Sequence, residues 1–122
     1  EARDLVIFSF GNGLPMSLRA ARDIERNHGW KVRVVDLRWL QPLNGEAIAR
    51  HAGECDRILV VDEGRRSAGV GEGVITAVVE AGHGAKPLRR VVGEDTYTPL
   101  AGAAFLVIPS EADIVAMAAE LA

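Results

Sequence analysis

The chain has 122 residues, 48% of them hydrophobic and 25% charged, and carries a formal net charge of −3. That is enough for one domain with a single sheet and helices on both faces, and it sets up no basic field toward nucleic acid or an anionic membrane. The lone Cys55 excludes an internal disulfide and fits a reducing cytoplasm, no run is expected to approach the roughly 20 apolar residues of a membrane span, and the charged Glu1–Asp4 start does not read as a signal peptide. Arg outnumbers Lys twelve to two, which a GC-rich genome accounts for.

Leu5 to Phe10 is a near-continuous apolar run, as expected of a strand covered on both faces. It is entered with almost no lead-in, as if the domain were taken from a longer polypeptide. Gly11-Asn12-Gly13 breaks the run. Pro15 then sits in a first helical turn, where its missing N–H costs nothing. Leu14, Leu18, Ala21 and Ile24 form one face of that helix, and His28-Gly29 ends it.

Lys31 to Leu37 reads as the second strand, followed by an extended connector to Leu43, because Pro42 biases Gln41 away from helix. Asn44 is a good cap for a helix over Glu46 to His51, with Gly53 as its stop. The third strand ends at the acidic pair Asp62-Glu63. A loop with Arg65, Arg66 and Gly at 64, 69, 71 and 73 leads into a helix carrying Val70, Val74, Ala77, Val78 and Ala81 on one face, closed by Gly82. Leu88 to Gly93 is a less apolar strand, expected at an edge, and Gly93 to Pro109 a long irregular connection. Ser110 and Asp113 resemble a capping box for the last helix. Strands alternating with helices predict an α/β open sheet in three layers, α/β/α, with four parallel strands in the order 2-1-3-4. The crevice then lies at the strand C-termini, with Gly11-Asn12-Gly13 facing Asp62-Glu63-Gly64.

Three kinds of chemistry compete for these residues. Gly11, Gly13 and Asp36 have the outline of a dinucleotide site, yet Met16 stands where a third glycine belongs and Pro15 removes an N–H. Arg65, Arg66 and the helix start near Gly69–Gly71 suit either a small anion or an acidic partner, with Glu63 and Glu72 offsetting their charge; partner docking is the preferred reading. The neighbours Asp62 and Glu63 point to opposite faces of a strand and form no acid–base dyad. His28, His51 and His83 lie near helix ends, where a ring meets water or the helix dipole, and none has metal-ligand spacing. No self-sufficient catalytic site is visible.

The motifs taken together resemble a known family. Asp4 to Gly13, then Val35-Asp36-Leu37-Arg38 with Leu40, Pro42 and Leu43, then Val61, Glu63 and Gly69-x-Gly71-Glu72, then Gly93-x-Asp95-Thr96 with Pro99, and finally Pro109 occur in its order. This sequence is similar, over residues 1–122, to the C-terminal domain of transketolase-like thiamine-diphosphate enzymes. It looks most like the beta-subunit portion of the decarboxylating component of 2-oxo acid dehydrogenase complexes. The departures are Asp62 where beta subunits often have His, the Arg65-Arg66 pair, and the Leu100–Ala103 run; transketolase and deoxyxylulose-phosphate synthase stay open as parents.

The resemblance implies a domain without catalytic, cofactor or metal residues of its own, thiamine diphosphate and Mg being held by other domains of a parent enzyme that oxidatively decarboxylates a 2-oxo acid and passes the acyl group to a lipoyl group. It implies assembly as homodimer or heterotetramer and docking of a dihydrolipoyl acyltransferase core. It also implies that the family's antiparallel first strand is missing, which exposes the second strand. Glu63, Arg65, Arg66, Gly69, Gly71 and Glu72 are the expected docking residues, and Trp39, Leu40, Leu43 and Tyr97 the expected subunit interface. The alternative from another class is a free-standing nucleotide-binding domain using Gly11, Gly13 and Asp36.

Overall fold

A computed structural model describes all 122 residues. Four strands, β1 (Leu5–Ser9), β2 (Val32–Asp36), β3 (Arg57–Arg65) and β4 (Leu88–Gly93), pair in parallel in the order β2-β1-β3-β4. Helices α1 (Gly13–His28), α2 (Gly45–Glu54), α3 (Val70–Glu80) and α4 (Glu111–Ala119) connect and cover them. The expected layers and strand order are those observed, and β2 and β4 are the edges.

The apolar runs explain this arrangement. All five residues of β1 are buried, because its side chains alternate between two cores. Leu5, Ile7, Leu59 and Val61 pack with Met16, Ala20 and Ile24 of α1 and Ile114 and Ala118 of α4. On the opposite face Val6, Phe8, Ile58 and Val60 pack with Ile48 and Ala52 of α2 and Val74 and Val78 of α3. Each fully buried aliphatic or aromatic side chain contributes about 1.5–3 kcal/mol relative to leaving it exposed, so these two cores hold the fold.

Several boundaries differ from the sequence reading, each for a physical reason. β3 does not stop at Asp62-Glu63 but runs to Arg65, because β4 continues to pair with it through a register shift that sets Arg65 opposite Gly93. Gly93 permits this: a Cβ there would lie 2.9 Å from the Glu63 carbonyl and 3.1 Å from that of Gly64. Gly53 does not end α2, which reaches Glu54. Its last carbonyls are met instead by the ammonium of Lys86, which donates to Ala52, Gly53 and Cys55 at 2.8, 2.9 and 2.6 Å. Asn44 caps α2 as expected, its side chain accepting from the Ala47 N–H. Ser110 and Asp113 form a full capping box on α4.

The connection after β4 is not wholly irregular, since Ala101–Leu106 forms a 3-10 turn. Together with α4 it makes a stretch, Ala101–Ala119, whose mean hydropathy of 1.5 reaches the range of a membrane span, contrary to the expectation that no run would. In the structure the stretch is two elements separated at Val107–Ser110, and α4 is held to α1 by Ile114 and Ala118 and by an Arg19–Glu111 ion pair of 2.9 Å.

Candidate functional site

The C-terminal edge of the sheet is where this fold positions loops, and here the loop between β3 and α3 is built around one carboxylate. Asp62 is 2% exposed. Its Oδ1 accepts the Gly64 N–H at 2.7 Å and its Oδ2 the Gly71 N–H at 2.8 Å, within the first turn of α3. The negative group therefore sits against the positive end of the helix, where unpaired N–H groups favour it. The glycines are explained by the same group. A Cβ on Gly64 or Gly69 would come within 2.9 or 3.0 Å of an Asp62 carboxylate oxygen, and one on Gly71 within 3.3 Å. The Gly-x-Gly spacing makes room for an internal anion.

Four further bonds tie the loop down. Asp95 accepts from both the N–H and the hydroxyl of Ser67, at 2.8 and 2.7 Å. Those two bonds, and then the field of Arg66 and Arg65, hold the Asp95 carboxyl below its usual range. Glu72 Oε2 accepts the Ala68 N–H at 3.0 Å, and Arg90 donates to the Arg66 carbonyl at 2.7 Å. Ala68 takes a positive φ of 58° at the turn.

Of the expected docking residues, Gly69, Gly71 and Glu72 thus shape the loop internally. Glu63 is half-buried, and Arg65 and Arg66 are exposed with neither guanidinium in an ion pair. Of the expected interface residues, Tyr97 is 90% and Trp39 70% exposed. Leu40 is half-buried. Leu43 lies against the α2–α3 core and the backbone of Gly73.

The nucleotide reading finds its residues otherwise engaged. Asp36 accepts from the backbone N–H and the Nε of Arg38, at 3.0 and 3.4 Å. Gly13 is needed because a side chain there would strike the Ser9 hydroxyl, and it faces Val61 rather than Asp62–Gly64. Nor does the start of α3 fit a diphosphate, since the Asp62 carboxylate already fills it. No group of three or more His, Cys, Asp or Glu side chains is placed to hold a metal ion.

Two of the histidines engage neighbouring side chains. His28 stacks on Trp30 with ring centroids 4.6 Å apart, and the Arg57 guanidinium also lies over the Trp30 ring, 4.3 Å from its centroid. His51 lies 3.0 Å from Arg33, which also pairs with Glu54. Burial, followed by the charges of Arg33 and Arg50, pushes the His51 ring below its ordinary value. The sequence reading missed three groups: Asp62 as an internal cap, Asp95 as a clasp and Lys86 as a helix end. Only Asp62 had a signal, an acid closing an apolar run with Gly two, seven and nine residues on.

Comparison with known proteins fixes what this arrangement is. The family model described as "Transketolase, C-terminal domain" matches residues 1–114. The chain belongs to the transketolase C-terminal domain family. Within it, the chain is 33% identical over 122 residues to the pyruvate dehydrogenase E1 component subunit beta of Staphylococcus aureus (strain COL). It is 32% identical over 120 residues to that of Staphylococcus epidermidis (strain ATCC 12228 / FDA PCI 1200). These matches cover 98% and 97% of this chain but 37% of each relative, so the transketolase C-terminal domain described here spans a little over a third of their length. A solved structure titled "Split gene transketolase, inactive beta4 tetramer" shares the fold, with a TM-score of 0.82 at 23% identity over 99% of this chain and 39% of that one.

Proposed function

We propose that this transketolase C-terminal domain is the assembly and docking portion of a thiamine-diphosphate-dependent 2-oxo acid dehydrogenase component, in a cytoplasmic enzyme. The parent enzyme would decarboxylate a 2-oxo acid oxidatively and pass the acyl group to a lipoyl group, with thiamine diphosphate and Mg held by other domains. The beta-subunit relatives support the choice of parent.

The observation that carries the assembly role is the exposed apolar rim at the C-terminal edge of the sheet. Tyr97 and Leu100 are each 90% exposed and Trp39 70%, although the two faces of the sheet are well covered. Large apolar side chains left bare along one end of a sheet mark surfaces that another body covers. In the assembled enzyme they meet the remaining domains, a second copy in a homodimer or heterotetramer, or the dihydrolipoyl acyltransferase core.

The test uses the parent enzyme with Trp39→Ser, Tyr97→Ser and Leu100→Ser combined. Sedimentation should show smaller particles, and decarboxylation should fall with assembly while circular dichroism stays unchanged. Unaltered particle size, or tight saturable binding of thiamine diphosphate and Mg²⁺ by the 122-residue chain alone, would overturn the reading.

A further inference from the structure

β4 ends the sheet on the side away from β2, and its outer main-chain edge has no partner. It pairs with β3 alone, and no other backbone hydrogen bond reaches Leu88–Val92. The one side-chain contact to that edge is local, Arg89 turning back to the Leu88 carbonyl at 3.0 Å. Beside the edge, between β4, the 3-10 turn and the start of α4, runs an open groove of about 540 Å³. Val92, Phe105, Leu106 and Met117 line it together with Arg66 and Arg90. Phe105 and Leu106 are 79% and 82% exposed.

Charge selects the occupant. The Arg66 guanidinium has no acidic partner, while Arg90 and Arg89 reach Glu72 and Glu120 only at 3.6 and 3.7 Å. Of the two acids lining the groove, Asp113 is committed to the Ser110 cap at 2.8 Å, which leaves Glu94 against Arg66 and Arg90. A second copy is disfavoured here. Antiparallel pairing of two β4 strands would bring Arg89 and Arg90 of both copies together, and like charges across a strand pair oppose it.

We propose that the β4 edge takes an extended acidic segment of another polypeptide as a fifth strand. The incoming main chain pairs with Leu88–Val92, as in other cases of strand addition to a free edge. Its apolar side chains lie on Phe105 and Leu106, and its carboxylates meet Arg66 and Arg90, which line the groove. This inference does not depend on which enzyme the chain serves, and Trp39, Tyr97 and Leu100 are not among the residues that line the groove.

A capped synthetic peptide of alternating Glu and Val is the probe, with its Lys–Val counterpart and a version N-methylated at alternate residues as controls. The acidic peptide should bind saturably, slow amide exchange at Leu88–Val92, and weaken with salt as screened charge pairs do. Arg66→Glu combined with Arg90→Glu should weaken it at least about tenfold, a change worth about 1.4 kcal/mol, whereas Arg22→Glu on the exposed side of α1 should leave it unchanged. The N-methylated peptide should not bind, a result that holds even if the double variant fails to fold. Equal binding of the Glu and Lys peptides, binding of the N-methylated form, protection elsewhere than β4, self-association that protects β4 without peptide, or no binding at millimolar peptide would each overturn the proposal.

Discussion

The carboxylate of Asp62 caps α3 from within the sheet, accepting the N–H of Gly71 at 2.8 Å across nine residues of chain. The same carboxylate also holds Gly64, so one side chain fixes both ends of the β3–α3 loop. Asp62→Ala leaves two N–H groups without their acceptor. It should destabilise the chain by about 2–4 kcal/mol, from the loss of charge-assisted bonds to buried donors. Asn, which retains one acceptor oxygen, should cost less. Chemical denaturation measures both, and faster amide exchange at Gly64 and Gly71 should accompany the Ala variant.

Close packing separates two glycines that look alike in sequence. A Cβ on Gly69 meets the Arg65 carbonyl at 2.8 Å and Asp62 at 3.0 Å, whereas one on Gly102 meets nothing within 4 Å. Gly69→Ala should cost about 1–3 kcal/mol through overpacking, and Gly102→Ala should stay within about 0.5 kcal/mol of the parent. Equal melting temperatures for the two variants would contradict the loop geometry.

Ser17 is fully buried in α1, and its hydroxyl has no hydrogen-bond partner. The nearby strand residue Ser9 differs, donating to the Val61 carbonyl at 3.0 Å. Replacing an unpaired buried hydroxyl by a methyl group removes a desolvation cost. Ser17→Ala should therefore stabilise by about 1 kcal/mol, while Ser9→Ala should destabilise by a similar amount. Paired denaturation curves distinguish them.

His51 sets part of the acid sensitivity. Its folded value lies below the ordinary 6.5, because the ring is buried and flanked by Arg33 and Arg50. In the window below that value the unfolded chain binds the proton more readily, so stability is complete above it and falls as pH drops through the depressed folded value. Glu54, lowered chiefly by its hydrogen bond to Arg33, adds a second loss below its ordinary 4.5. His51→Gln should flatten the decline that begins below about pH 6.5 and leave the later one. A denaturation series from neutral to acid pH reads both slopes.

The sheet was legible because its signals are local. Leu5–Phe10 and Ile58–Val61 are apolar runs bounded by polar breaks, and alternation with helical faces fixes a parallel order. The family landmarks were legible for the same reason. Long-range polar bonds were not. Nothing near Lys86 says that it will end a helix more than thirty residues earlier, and nothing near Asp95 points to Ser67, 28 residues away. The glycine loop suggested an external anion because spacing reveals a space, while only packing reveals that Asp62 fills it.

Arg57 stacks on Trp30 while donating to the carbonyls of Asp4 and Leu121, so one guanidinium touches the start of the first strand and the close of the last helix. Because the strands are parallel, Arg57 stands at the edge opposite the β3–α3 loop and the Tyr97–Leu106 segment. Polypeptide joined at either terminus therefore leaves from one rim, and the rim that bears the arginines and exposed rings faces away from it. The domain is built like a handle, gripped at one end and free to engage at the other. Joining its two ends by a short linker and reopening the chain at the exposed Gly82–Gly84 turn should give a permuted protein with the same sheet.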